Sequence, residues 1–234
     1  MHKIAPNLYT FSGLVMGRVY AILDPDGVTL IDTGLELAAA RIMAQLRAVG
    51  RQPHDVKRIL ITHAHPDHIG GLPQLERTTG AEIIVPALER AVVEGQIPIP
   101  TPPDSELSPL ARRMRPPPTT AKPTPVDRVI EEGDTLSEVF GGLEVIAAPG
   151  HAPGHVAFWQ PQRRILFCGD VAMNIPWGLR LPIAAFTVDM AENKRSLARL
   201  ITLNPALVCL GHGQPLAQEA TARLTALAQR VGAL

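Results

Sequence analysis

The chain has 234 residues, of which 46% are hydrophobic, and this is enough for one large domain with a sizeable core. Lys and Arg together number 22, as do Asp and Glu, so the net charge is zero and a nucleic-acid polymer is not expected as a partner. The two cysteines, Cys168 and Cys209, lie far apart in apolar runs, which argues against a disulfide framework and favours a reducing compartment.

The first half of the chain alternates between strands and helices. Short apolar runs predict four strands, at residues 18–23, 27–32, 57–62 and 81–86. Helical periodicity predicts helices over 35–50 and 72–80, each ending at a glycine, and a shorter helical piece around "ALERAVVEG". This alternation indicates an α/β arrangement, in which ligands bind beyond the carboxyl ends of the strands.

Segment 96–125 has a different composition, because it holds ten of the chain's 23 prolines. Such a proline density predicts no regular element there. A linker between two domains and a surface excursion are the alternatives. The flanking halves each supply candidate site residues, so an insertion that forms a flap over one shared site is the preferred interpretation.

Strands return in the second half of the chain. They are predicted within "DRVIEEG" and at residues 143–150, 155–160, 164–170 and 206–213. A helix is predicted after Asp189, a suitable N-cap with Glu192 three residues further on. A last helix is predicted to start at Pro215, since proline is favoured in the first helical turn.

The stretch "ITHAHPDHIGG" (61–71) concentrates ligand-type side chains directly after a predicted strand. Four of them fall within six positions: His63, His65, Asp67 and His68. Three more each follow another predicted strand: His151, Asp170 and His212. Imidazole and carboxylate are ligands for zinc and similar ions. Seven ligands exceed one four-coordinate ion and fit two ions that share a carboxylate, whereas a polar surface loop would not explain the matching strand ends.

The stretch "THAHPDHIGG" resembles the HxHxDH signature of the metallo-β-lactamase superfamily. Further motifs match that family in the same order: "LIDTG" (30–34), "PGHAPGH" (149–155), "GD" (169–170) and "GHG" (211–213). The resemblance implies an α/β (α+β) fold, a four-layer αββα sandwich with two mixed β-sheets and the metal site at one edge of the sheets.

The resemblance also implies a role for each ligand-type residue. The expected ligands of a first ion are His63, His65 and His151. Those of a second ion are Asp67, His68 and His212, with Asp170 bridging the two. Asp32 is expected to orient the ligand loop by hydrogen bonds, and His155 to support it. Zinc is the expected metal, with manganese or iron as alternatives.

Such a pair of ions supplies a bridging hydroxide that attacks the carbonyl of a small ester, thioester or lactone, with Asp67 and Asp170 as catalytic carboxylates. The zinc β-lactamases lack the bridging aspartate. Only about twenty residues follow "GHGQP", where glyoxalase II enzymes carry a helical glutathione-binding domain. Small lactonase-like members are therefore the most similar in pattern, although many of them have tyrosine where this chain has Met173. Persulfide dioxygenases with iron and phosphodiesterase- or nuclease-type hydrolases are the alternatives.

The segment 173–186 and the Pro-rich excursion (96–125) are expected to line the substrate pocket. Met173 and Trp177 would make it apolar, Arg180 would anchor a carboxylate, and Phe186 lies in the same segment. Residues 1–17 contain no signal-peptide pattern, and no stretch approaches the ~20 apolar residues of a membrane span. We expect a single cytoplasmic domain over residues 1–234 with a small-molecule substrate and no membrane partner, either alone or as a homodimer.

Overall fold

The structure, a computed structural model, describes residues 1–234 and contains two mixed β-sheets between layers of helices. The first sheet contains β1 (His2–Ala5), β2 (Leu8–Thr10), β3 (Tyr20–Asp24), β4 (Gly27–Ile31), β5 (Val56–Leu60), β6 (Glu82–Pro86) and β7 (Arg128–Ile130). These seven strands lie side by side in chain order. The first four are antiparallel, and β4 to β7 are parallel.

The second half of the chain forms a five-stranded sheet and a separate hairpin. Its strands are β8 (Thr135–Leu136), β9 (Leu143–Ala147), β10 (Val156–Gln160), β11 (Ile165–Gly169), β12 (Met173–Ile175), β13 (Gly178–Arg180) and β14 (Leu207–Leu210). The sheet has the order β14-β11-β10-β9-β8, in which only β14 and β11 are parallel. The hairpin consists of β12 and β13.

Seven helices complete the fold. They are α1 (Ala38–Arg47), α2 (Pro66–Ile69), α3 (Leu72–Thr79), α4 (Arg90–Val93), α5 (Pro109–Met114), α6 (Met190–Thr202) and α7 (Ala220–Arg230). The apolar faces of α1 and α3 pack on the first sheet, and those of α6 and α7 pack on the second. The predicted αββα sandwich is therefore confirmed. None of these helices is both long and apolar enough to cross a membrane.

The two sheets bury a common core, to which both contribute alternate side chains. Ile22 and Leu60 come from the first sheet, and Phe158 and Phe167 from the second. The Tyr20 ring packs edge-on against Phe167 with ring centroids 5.5 Å apart. Its hydroxyl donates to the backbone carbonyl of Leu210, so its one polar group is satisfied inside the core.

Phe158→Ala is expected to lower the free energy of unfolding by about 3–5 kcal/mol, because the Phe158 side chain is fully buried and the exchange leaves a cavity. For a chain of this size each kcal/mol corresponds to about 2–4 °C in Tm. Trp177→Ala is the control, since Trp177 is 78% exposed and its removal should change stability by less than ~0.5 kcal/mol. Equal changes in Tm for the two variants, measured by thermal unfolding, would contradict the assignment of the core.

The Pro-rich segment 96–125 contains more regular structure than its composition predicts. A 3₁₀ turn covers Asp104–Glu106, and α5 follows it, capped by the Ser108 hydroxyl. The prediction of no regular element was wrong here because Pro109 occupies the first helical position, where its missing N–H has no partner to lose. Ile99 and Leu107 are buried, and α5 packs against a 3₁₀ turn at Ala184–Phe186.

The last helix starts later than predicted. Pro215 lies outside it, because Leu216 pairs with Val208 through two backbone hydrogen bonds of 2.8 and 3.0 Å. The chain then turns at Glu219, which has a φ of 50°, and α7 begins at Ala220. The helix after Asp189 is as predicted, since the Asp189 side chain accepts from the backbone N–H of Glu192 at 2.8 Å.

Candidate metal centre

The seven ligand-type side chains come together at one edge of the two sheets. His63, His65, Asp67 and His68 follow the end of β5, and Asp170 and His212 follow the ends of β11 and β14. His151 lies in the loop after β9. Three trios have all their ligand atoms within 4.8 Å of one another: His63, His65 and His151; His63, His68 and Asp170; and Asp67, His68 and His212.

The first trio consists of neutral imidazoles. His65 Nδ1 lies 2.9 Å from His151 Nε2, and the His63 ring lies within 5 Å of both other rings, centroid to centroid. Burial lowers the pKa of His65 to about 4, and it lowers the pKa values of His63 and His151 well below their usual range. Each ring therefore keeps a lone pair for a cation at neutral pH.

The other four side chains form an ion-paired group. His212 Nε2 lies 3.1 Å from Asp67 Oδ2 and 3.1 Å from Asp170 Oδ2. His68 Nε2 lies 3.5 Å from Asp170 Oδ1. Burial opposes charge on both histidines, but the carboxylates outweigh it: they raise the pKa of His212 to about 9 and that of His68 well above its usual range. In return, the imidazoles lower the pKa of Asp67 to about 2 despite its burial.

Asp170 lies between the two groups. Its Oδ2 is 3.4 Å from His151 Nε2 and 3.1 Å from His212 Nε2, while Oδ1 faces His68. The side chain is almost fully buried, which alone would raise its pKa, yet the imidazoles of His68 and His212 hold the pKa well below the usual range. Asp170 is thus an ionised carboxylate that contacts ligand-type side chains on both sides.

Asp32 joins several of these side chains by hydrogen bonds from the side away from the ligand atoms. One oxygen accepts from the Thr62 backbone N–H at 2.9 Å, and the other from His68 Nδ1 at 2.8 Å. The Thr62 hydroxyl donates to the same carboxylate and lies 3.0 Å from His63 Nδ1. This chain of hydrogen bonds places a proton on Nδ1 of His63 and His68, so each Nε2 faces the cluster. His63 Nε2 offers its lone pair directly, whereas His68 Nε2 must first lose the proton that the carboxylates favour.

His155 contacts the loop that carries Asp170 by a hydrogen bond to the backbone of Asp170. Its Nε2 accepts from the Asp170 backbone N–H at 3.0 Å, so the ring is neutral with its proton on Nδ1. Burial lowers the pKa of His155 to about 3, in agreement with that role. Gly169 has a φ of 49°, and a Cβ there would lie 2.3 Å from the imidazole, so this contact requires glycine.

Thr187 orients His151, a contact that the sequence did not reveal. The Thr187 hydroxyl donates to the Ile183 carbonyl at 3.0 Å and therefore accepts from His151 Nδ1, 3.1 Å away. His151 Nε2 is left to face His65 and Asp170.

The loop around His212 is held by donors from two distant segments. Arg18 donates from its backbone N–H to the Gly211 carbonyl at 2.7 Å and from its guanidinium to the Gly213 carbonyl. The Asn174 backbone N–H donates to the His212 carbonyl at 3.0 Å. Neither Arg18 nor Asn174 was identified from the sequence. Together they fix the backbone on both sides of the imidazole.

The donor set fits divalent cations. Three buried polar atoms of the cluster have no hydrogen-bond partner, namely His63 Nε2, His68 Nε2 and Asp170 Oδ1. Unpaired buried polar atoms are costly, and cations bound within the cluster would satisfy all three. Imidazole nitrogens with carboxylate oxygens are the ligands preferred by zinc and comparable transition metals.

The predicted pocket residues lie on two segments joined to the cluster. Met173 is buried at the start of β12, and Trp177 and Arg180 lie on the exposed part of the hairpin, where Arg180 donates to the Trp177 carbonyl at 3.1 Å. Phe186 is exposed in the 3₁₀ turn directly before Thr187. The hairpin itself was not predicted from the sequence.

Comparisons with known proteins agree with the geometry. Residues 12–212 match the profile described as the metallo-beta-lactamase superfamily. The chain is 32% identical over 198 residues to the probable metallo-hydrolase YybB of Bacillus subtilis (strain 168), which covers 84% of this chain and 80% of that protein. It is 29% identical over 185 residues to the hydroxyacylglutathione hydrolase of Rhodobacter capsulatus, which covers 79% of this chain and 59% of that enzyme. The crystal structure of a metallo-beta-lactamase family protein from Thermus thermophilus superposes with a TM-score of 0.73 at 25% identity, covering 99% of this chain and 81% of that one.

Proposed function

The chain belongs to the metallo-β-lactamase superfamily, and from the seven side chains gathered at its sheet edge we propose that it binds two divalent ions and hydrolyses a small ester, thioester or lactone. Its metallo-hydrolase relatives support a hydrolase. The observation that carries the proposal is the convergence of two separate ligand groups on one shared carboxylate, Asp170.

Each group would hold one ion. His63, His65 and His151 offer three neutral nitrogens to the first, and Asp67, His68 and His212 offer mixed ligands to the second. Asp170 would contact both, because its two oxygens face His68 on one side and His151 and His212 on the other. Zinc fits this set best, with manganese or iron as alternatives.

Two divalent ions lower the pKa of water toward ~7 and polarise a carbonyl oxygen, and this is the chemistry they would supply here. The chain's own residues orient that reaction. Asp67 stays ionised at neutral pH, since its pKa is about 2, and its carboxylate would accept a hydrogen bond from the attacking water. Asp32 and Thr187 hold the imidazoles in one tautomer, so that the ligand atoms are placed before substrate binds.

The surroundings of the cluster favour a substrate with an apolar portion. Three segments touch the ligand residues: the loop 12–17, where Gly17 abuts the Asp67 carbonyl, the β12–β13 hairpin and the turn before Thr187. All three carry exposed apolar side chains: Val15, Met16, Trp177, Ile183 and Phe186. Exposed apolar side chains on segments next to the ligand residues suit the acyl or alkyl part of an ester, thioester or lactone better than a polyanionic chain.

The relatives named hydroxyacylglutathione hydrolase support thioesters as candidate substrates, because an acylglutathione is a thioester. The match spans 59% of the length of the Rhodobacter capsulatus enzyme, so its activity is a candidate for this chain and is tested below. We therefore place thioesters beside lactones and esters as substrates to be tested.

A substrate panel on metal-analysed protein tests the proposal. Lactones, thioesters, aryl esters, a phosphodiester and a β-lactam should be assayed with the loaded protein, the chelated protein and the chelated protein after zinc is returned. Two ions per chain and metal-dependent cleavage of a carbonyl substrate are expected. Cleavage of only the phosphodiester would favour a phosphodiesterase, and iron with oxygen uptake on a persulfide would favour a dioxygenase. Fewer than two ions at saturation would contradict the paired site.

The affinity for the second ion is expected to rise with pH between about 6 and 9. A cation must displace the proton from His212, whose pKa is about 9, so protons compete with the metal below that value. The first ion should show little pH dependence over the same interval, since the pKa of His65 is about 4. Competition with a chelator of known affinity at pH 6, 7, 8 and 9 measures the affinities for both ions. If the affinities for the two ions changed equally with pH, the proposed difference in protonation between the two ligand groups would be wrong.

A further inference from the structure

Glu89 is a buried glutamate that the proposed reaction does not use. It lies in a 3₁₀ turn, Ala87–Glu89, between β6 and α4, and only 1% of it is exposed. No basic side chain pairs with it, and burial raises its pKa above the usual range. A carboxylate without a cationic partner is costly inside a protein, so its presence requires an explanation from its contacts.

Both carboxylate oxygens of Glu89 accept from backbone N–H groups of ligand-bearing loops. Oε2 accepts from Ala64 at 2.9 Å, and Ala64 stands between His63 and His65. Oε1 accepts from Gly154 at 2.7 Å, three residues after His151. One side chain therefore joins the two loops that carry all three histidines of the first group.

The second loop is shaped to admit this carboxylate. A Cβ on Gly154 would lie 2.8 Å from Glu89 Oε1 and 2.9 Å from its Cγ, so the close approach depends on glycine at that position. The two N–H donors come from segments that are separated by about ninety residues along the chain. One backbone hydrogen bond joins the same segments nearby, from the Val156 N–H to the Thr62 carbonyl at 3.0 Å. Glu89 adds the two contacts that lie beside the histidines themselves, at Ala64 and Gly154.

We propose that Glu89 is a positioning residue for the first ion, which fixes the spacing of His63, His65 and His151 through the backbone of Ala64 and Gly154. This inference rests on the proposed function, since it requires a metal-loaded site. It assigns Glu89 no contact with substrate. The cation would also offset the negative charge that Glu89 brings into the interior.

Glu89→Gln is the informative variant. An amide of the same size keeps one acceptor oxygen, but its NH2 group faces the second backbone N–H, so one of the two loops loses its bond. Glu89→Asp keeps both acceptor oxygens on a shorter side chain. It should therefore retain part of the metal affinity that Glu89→Gln loses. Asp24→Asn is the matched control, because half-buried Asp24 accepts from the Phe140 backbone N–H at 2.9 Å at the opposite edge of the first sheet.

In Glu89→Gln we expect one of the two ions to bind about 10–100-fold more weakly and the other to keep the wild-type affinity, as for other residues that hold metal ligands. The cobalt(II)-loaded variant should show an altered d–d absorption spectrum, and kcat should fall more than KM rises. The metal-free protein should lose no more Tm than Asp24→Asn does. Glu89→Asp should lie between wild type and Glu89→Gln in affinity and in spectrum.

Two results would overturn the inference. Wild-type affinity for both ions together with an unchanged cobalt spectrum would show that Glu89 does not position ligands, even if kcat falls. Equal weakening of both ions would show a general loss of structure. If metal-free Glu89→Gln does not fold, the same readouts on Glu89→Asp decide. Failure of the proposed function is separate, because it would appear in the wild type as fewer than two ions.

Discussion

Asp170→Asn is expected to lower kcat/KM by about 10²–10⁴-fold while leaving the fold intact. The exchange removes the single carboxylate that faces both ligand groups, with oxygens 3.1–3.5 Å from His68, His151 and His212. A fall of this size corresponds to about 3–5 kcal/mol of lost transition-state stabilisation. The amide is nearly isosteric, so packing around β11 should be retained.

The measurement is turnover of the best substrate from the panel, together with metal content and far-UV circular dichroism. Metal content should fall from two ions to one or none. Asp127→Asn serves as the control, since Asp127 is exposed and accepts only from the Ile83 backbone N–H at 2.8 Å. Two bound ions and unchanged turnover in Asp170→Asn would refute the shared carboxylate and with it the paired site.

Much of the site could be predicted because most of its ligand-type residues directly follow an apolar strand, and this pattern is visible in the sequence. His63, His65, Asp67 and His68 follow one apolar strand, and the carboxyl ends of neighbouring strands meet at one edge. Asp170 follows its own strand in the same way. The strand-end rule therefore brings distant residues together from the sequence alone. Asp32 and His155 came from the family resemblance, and the structure places both in contact with the cluster.

The residues that were missed act through the backbone or across long separations. Glu89 lies in "ALERAVVEG", where a glutamate beside an arginine is typical of an exposed helical face. Its burial depends on Ala64 and Gly154, which lie 25 and 65 residues away. Thr187 likewise contacts His151 over a separation of 36 residues. A single sequence records neither relation, because threonine and glutamate occur on most protein surfaces.

The errors in secondary structure have physical causes of the same kind. Proline is favoured at a helix start, but Leu216 forms an edge pairing with Val208 that delays α7. The same preference allowed α5 to begin at Pro109 within a segment whose composition argued against any helix. In both places tertiary contacts decided between two local structures that the residues alone permitted.

The two ligand groups differ in charge state, and this difference has a consequence for stability. The first group is neutral at pH 7, whereas His68 and His212 in the second are protonated and paired with Asp67 and Asp170. The ion pairs hold the second group together in the absence of metal. The raised pKa of His212 stabilises the metal-free protein below pH ~6.5, and this contribution is lost as pH rises through about 9.

Removal of the metal is expected to abolish turnover and to lower the Tm by roughly 8–16 °C for each ion lost. A ligand present at about 1,000 times its Kd stabilises the folded state by about 4.1 kcal/mol, and each kcal/mol shifts the Tm of a chain of this size by about 2–4 °C. The fall should be larger at pH 9 than at pH 7, because His212 loses its proton and the ion pairs weaken only in the metal-free protein.

Thermal unfolding of loaded, chelated and zinc-restored protein at both pH values measures this effect. Restoring zinc should return both Tm and turnover, which separates loss of metal from damage by the chelator. Asp170→Asn should gain less Tm from zinc than the wild type, because both ions would lose the ligand that they share. A chelated wild type with unchanged Tm and full activity would show that the buried imidazoles satisfy one another, and that the unpaired atoms of His63, His68 and Asp170 do not mark a metal site.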